Sequence, residues 1–217
     1  MKRIIICEGK HDSIFLRALF PKIGIPDKDI EIFDQGERDK KEDLRNIETK
    51  IVGKFLSPYG LYSSCKILVK SEEGKGNAIH LFAEYLTTWI QNFETFLMLD
   101  LDTSLYKQNK LGKSREKKTR IERMLNKLKE MIKNKHGNFE IECEDIKDSE
   151  LILVRKCYLK DKNGNQRVGS PFYLILFVHS LEDEANRTVP SDNVNIEDKI
   201  SELVELPEIQ DTFSSLF

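Results

Sequence analysis

Three unbroken apolar runs constrain the fold of this chain more tightly than any other feature. They are Ile4–Cys7, Phe96–Leu99 and Phe172–Val178. Each stops abruptly at polar residues: Glu8-Gly9, Asp100-Leu101-Asp102 and His179-Ser180-Leu181-Glu182. Bulky runs of this kind, without alternation, predict strands buried on both faces, as in a parallel sheet. Helical spacing fills the stretches between them. Ile14, Phe15, Ala18 and Leu19 form one stripe, with Asp12 able to cap it and Pro21 to close it. Leu44, Ile47, Ile51, Val52 and Phe55 form a second, and Ile79, Phe82, Ala83 and Leu86 a third. Ile30–Phe33 and Lys66–Val69 add two shorter strand candidates. Strands alternating with helices predict an α/β fold, with a mostly parallel central sheet and helices on both faces.

Beyond residue 106 the chain is uneven in charge. Residues 107–136 hold twelve Lys or Arg against three Glu, a local net of +9 that the overall net charge of −2 conceals. Ile121, Met124, Leu125, Leu128, Met131 and Ile132 recur there at steps of three and four, which predicts an amphipathic helix with Thr119-x-x-Glu122 as its capping box. Phe139–Cys143 and Leu151–Leu159 read as strands, and Asn163-Gly164 supplies hairpin-turn chemistry. The tail, 179–217, carries ten acids against two bases, with a helix expected around Ile196–Leu206 and ended by Pro207.

With 217 residues, one α/β domain over 1–145 is expected, extended over 146–217 by a hairpin, a buried strand and an acidic helical tail on the same core. Hydrophobic residues make up 39%, enough for that core, but no run reaches the ~18 apolar residues of a spanning helix, so no membrane partner is expected. The apolar run at the N-terminus is too short for a signal peptide and meets Glu8. Cys7, Cys65, Cys143 and Cys157 are scattered without a CxxC pair. That argues against a disulfide framework or a zinc site and for a reducing cytoplasm.

In a parallel sheet, ligands collect beyond the carboxyl ends of the strands. Two of the apolar runs end there in acids, Glu8 on one, Asp100 and Asp102 on the other. Strand alternation would turn Asp100 and Asp102 the same way, about 6.6 Å apart. Three acids in one crevice repel each other unless protons or a cation neutralise them. An all-oxygen ligand set favours a hard ion, Mg²⁺ with Mn²⁺ as substitute. Lys10 and Lys75, the latter in Gly74-Lys75-Gly76-Asn77, could each contact a phosphate, although a solvated lysine and a plain surface turn account for them as well. The basic stretch, with Lys113, Arg115, Lys117 and Lys118, suits a nucleic-acid backbone or simply a solvated helix face.

Glu8-Gly9-Lys10-His11-Asp12 after an N-terminal apolar strand, followed later by Leu99-Asp100-Leu101-Asp102, resembles the Toprim domain over residues 1–145. In character the chain is nearest to the OLD-type and ribosomal-RNA-maturase-type nucleases of that family. The resemblance implies Mg²⁺ on Asp100 and Asp102, with Glu8 as general acid or base in phosphodiester chemistry. Asp12 matches an extra acid of the nuclease-like branches and also suits a helix N-cap. Glu182 matches a later acid at a second metal position and also suits a helix start. The glycine expected after the second strand is either Gly36 or the Gly74–Gly76 pair. Ser104 stands where topoisomerases usually carry another acid, and the chain has no counterpart of a primase's zinc-binding part. The expected function is therefore Mg²⁺-dependent cleavage of RNA or DNA by a small Toprim nuclease. The alternative is a non-catalytic nucleic-acid-binding or accessory subunit of an RNA-processing or DNA-repair complex.

Overall fold

A computed structural model of the chain describes residues 2–34, 65–89, 93–104, 110–137, 139–161, 167–190 and 193–217. The helical stripe Leu44–Phe55, the glycine at 36 and the Asn163-Gly164 turn lie outside the described residues.

Among the described residues seven strands form one sheet: β1 (Lys2–Cys7), β2 (Ile30–Asp34), β3 (Ile67–Ser71), β4 (Phe93–Asp100), β5 (Glu140–Asp148), β6 (Ile152–Lys160) and β7 (Arg167–Phe177). Their spatial order is β2-β3-β1-β4-β7-β6-β5. The first five in that order run parallel, and β6 and β5 add on antiparallel, so the sheet is mixed but mostly parallel. Residues 145 and 146 both lie within β5, and β7 is inserted between β4 and β6 of the same sheet.

The unbroken apolar runs follow from burial on both sides. Ile4, Ile6, Leu97, Leu99, Leu174 and Leu176 face one layer, where α2 (Lys75–Trp89) and α3 (Lys110–His136) bring Phe82, Leu86, Met124 and Leu128. Their immediate neighbours Ile5, Cys7, Phe96, Met98, Ile175 and Phe177 face the other layer. That second layer is built from α1 (Lys10–Lys22), α4 (Leu181–Thr188), α5 (Ile196–Glu202) and α6 (Pro207–Leu216), with Phe15, Leu181, Ile200 and Phe213 pointing inward. Each such large side chain, taken from water to full burial, stabilises the fold by ~1.5–3 kcal/mol. No helix among the described residues is long and apolar enough to cross a membrane.

Several boundaries differ from the expected ones. α3 begins at Lys110, so Thr119 is a mid-helix residue whose hydroxyl donates to the Arg115 carbonyl at 2.9 Å, and no capping box forms there. The Lys- and Arg-rich turns ahead of the apolar stripe are good helix formers in their own right, which is why periodicity alone placed the start too late. Pro21 lies in the last turn of α1 and does not terminate it. Pro207 opens α6 at its first turn, where a missing N–H is no loss, after a short 3-10 turn over Leu203–Glu205.

The cysteines also depart from the expected pattern. The antiparallel register sets Cys143 of β5 directly opposite Cys157 of β6, and the two form a disulfide with Cα atoms 4.0 Å apart. Spacing could not reveal this, because strand register makes the pair. Cys7 and Cys65 are buried and take no part in it.

Candidate active site

The parallel strands deliver their carboxyl ends to one edge of the sheet. β1 and β4 pair in register up to Cys7 and Met98, so Glu8 follows the end of β1 while Asp100, two residues past Met98, ends β4 beside Phe177 of β7. The Asp100 backbone N–H donates to the Glu8 carboxylate. Asp100 Oδ2 accepts in turn from the backbone N–H of Leu181, the first residue of α4, at 3.3 Å. Asp12 joins from the first turn of α1: its Oδ2 accepts from the Gly9 N–H at 2.8 Å, and the residue is 4% exposed. It is therefore the third residue of the helix, bonding back to the N-cap, with Gly9 as the cap.

These carboxyls interact strongly. Burial, with Glu8 and Glu182 as like-charged neighbours, pushes Asp12 up to about 8. Burial, then the charges of Asp12 and Glu8, pushes Asp100 up to about 9. Burial raises Glu8 as well, against the pull of Lys75. Glu182 behaves differently. Burial opposes its charge, but contact with His11 Nδ1 holds it below the ordinary carboxylate range. Glu182 reaches the cluster from the first turn of α4.

Asp102 is placed differently from its expected position. β4 ends at Asp100, and the chain then follows the end of β7, Leu101 donating to the Phe177 carbonyl and Thr103 to that of Val178. Asp102 adopts a left-handed backbone with φ of 50°, which breaks strand alternation. Its carboxylate contacts Lys75 Nζ, and that ammonium lies 3.6 Å from Glu8 Oε2. Glu8 thus stands between two groups, Asp12, Asp100 and Glu182 on one hand and Asp102 with Lys75 on the other.

The glycine loop beside the site is Gly74-Lys75-Gly76. It follows β3, the strand hydrogen-bonded to β1, and the Gly74 N–H donates to the Glu8 carbonyl at 2.9 Å. A Cβ at Gly76 would meet Lys127 Nζ at 3.3 Å, so the basic helix α3 reaches this loop. The other cations are distributed as follows. Lys10 pairs with Glu197 of α5 at 2.8 Å. Lys117 is held by Asp148 and by the Ser149 carbonyl at 2.8 Å. Lys113, Arg115 and Lys118 are exposed along α3. His179 is buried with Nδ1 2.8 Å from the Thr103 carbonyl, fixing the turn after Asp102. Sequence reasoning passed over two contributors, His11 and Lys127. His11 did stand inside the E-G-K-H-D segment, but its partner lies 171 positions away.

The donor set suits a hard divalent ion. Asp12 Oδ1 and Asp100 Oδ1 are buried without a hydrogen-bond partner, and such orphaned carboxylate oxygens call for a proton or a cation, whereas Glu8 Oε2 has the Lys75 ammonium at 3.6 Å. Among the described residues no three His, Cys, Asp or Glu side chains form a ready-made ligand group. Mg²⁺ does not require one, since it typically takes one or two carboxylates and completes its shell with water and phosphate. No protein-family model, curated protein or solved structure matches the chain.

Proposed function

We propose that this chain is a small Toprim-like nuclease that performs Mg²⁺-dependent phosphodiester chemistry on RNA or DNA. The observation that carries the reading is the convergence of Glu8, Asp12 and Asp100, from two parallel strand ends and one helix start, with a buried unpartnered oxygen on each of the two aspartates. A protein that gained nothing from such a cluster would be more stable with apolar residues in its place. Asp100 and its carboxylate neighbours would hold the ion, which when bound polarises the scissile phosphate and offsets charge developing on it. Glu8, half-buried and with its pKa raised by burial, is suited to taking a proton from the attacking oxygen or passing one to the leaving oxygen. Exposed Lys113, Arg115 and Lys118 on α3 supply sequence-independent contacts to the nucleic-acid backbone.

The test is cleavage of end-labelled single- and double-stranded RNA and DNA with Mg²⁺ or with EDTA. Products are expected only with Mg²⁺, and E8Q and D100A should each lower the rate by at least ~10²-fold while circular dichroism shows the fold retained. An E8Q protein cutting as fast as wild type would remove Glu8 from the mechanism. The second reading, a nucleic-acid-binding or accessory subunit without chemistry, is favoured by Lys75, which contacts Asp102, one of the two aspartates expected to hold the metal, and lies 3.6 Å from Glu8. Binding without metal-dependent products would decide for it.

A further inference from the structure

Lys75 occupies an unusual position for a lysine. It is the first residue of α2, where the helix dipole opposes a cation, so it does not serve the helix. Its backbone is fixed. The Gly74 N–H is bound to the Glu8 carbonyl, the Gly74 carbonyl accepts from Asn77 and Ala78 at 3.0 and 3.1 Å, and Gly74 itself has φ of 97°. Its side chain is 30% exposed and therefore able to move. The ammonium contacts Asp102 and lies 3.6 Å from Glu8 Oε2. Asp102 meets it from a left-handed backbone, the only non-glycine residue with positive φ among the described residues, a conformation that costs ~1 kcal/mol or more. Two separate departures from local preference, a cation at a helix start and an aspartate at positive φ, thus serve one contact.

We propose that Lys75 is a tethered counter-ion. Its ammonium holds Glu8 and Asp102 while the site is metal-free, leaves them when a divalent cation binds, and then engages the substrate phosphate. The inference rests on reading the carboxylate cluster as a metal site. An ammonium beside Glu8 and a divalent ion held by Asp100 with Glu8 as a neighbouring carboxylate repel each other. The lysine can yield by rotating its flexible stem, with the pinned loop and the sheet unchanged. The phosphate then offers it a new anion at the same place.

Binding of Mn²⁺ to the protein without nucleic acid, followed as loss of the free-ion paramagnetic resonance signal, tests the first half. K75M should bind Mn²⁺ about tenfold more tightly than wild type, and K75R, which keeps the charge, like wild type. Should K75M fail to fold by circular dichroism, K75Q replaces it. Equal or weaker binding by the folded neutral variant overturns the proposal, and so does tighter binding by K75R. Absence of Mn²⁺ binding in wild type and variants alike overturns the metal-site reading itself. The second half is read from oligonucleotide affinity with Ca²⁺ in place of Mg²⁺. The deficit of K75M relative to wild type should be several-fold larger with Ca²⁺ than with EDTA. A deficit of the same size in both would overturn the hand-over to phosphate.

Discussion

At the scale of single residues, protonation couples the cluster to stability. Asp12 and Asp100, raised by burial to about 8 and about 9, keep protons in the folded chain that an unfolded chain releases near pH 4. The folded state therefore binds more protons than the unfolded state between those limits, and stability falls as pH rises through that window. Thermal unfolding in EDTA should show the midpoint declining from about pH 5 to pH 9. D100N should flatten the decline, and saturating Mg²⁺ should raise the midpoint most at the alkaline end. A midpoint that rose with pH in EDTA would contradict the electrostatics described above. Glu8 and Asp100 were legible in the sequence because an acid ending a buried run is a local signal. The turn of Asp102 onto Lys75 was not, since a single positive φ beyond the strand leaves no periodic trace. The His11–Glu182 contact was hidden for another reason: it depends on α4 folding back beside α1.

At the scale of elements, α4 is short but presents the N–H of Leu181 to Asp100, so its start has to be held. Ser180 does this by accepting from the Asp183 N–H at 3.1 Å. S180A should lower unfolding free energy by about 1 kcal/mol in urea denaturation. The β5–β6 pair is closed by the Cys143–Cys157 disulfide over a separation of 14 residues. Replacing both cysteines with serine should cost about 2–4 kcal/mol, seen as a lower denaturation midpoint under non-reducing conditions. Strands buried on both faces could be read directly from their unbroken apolar runs. Element ends were harder, because the start of α3 and the role of Pro207 are set by propensity and by the chain path around the core, while the apolar pattern marks only the buried part of each helix.

For the molecule as a whole, charge is sorted by layer. α3, rich in Lys and Arg, lies on one side of the sheet, and the acidic α4, α5 and α6 lie on the other. A polyanion is drawn to the α3 side in preference to the opposite one, where only α1 is basic. Binding of a nucleic acid should weaken steeply with salt, and each of K113A and K118A should reduce the slope of log affinity against log salt by about 0.9 if its lysine neutralises one phosphate. K117A should leave that slope unchanged while lowering stability, because Lys117 is already held by Asp148 and Ser149. The basic segment was visible as a run of charge. Its confinement to one side was not, because the topology alone decides which layer a helix joins.

The insertion of β7 between β4 and β6 has a consequence for biosynthesis. β4 gains its second neighbour only when residues 172–177 have been translated. Until then the nascent polypeptide presents a bare, strongly apolar strand edge, open to mispairing with other chains. A ribosome that stalled or a protease that cut ahead of β7 would release a fragment prone to aggregate.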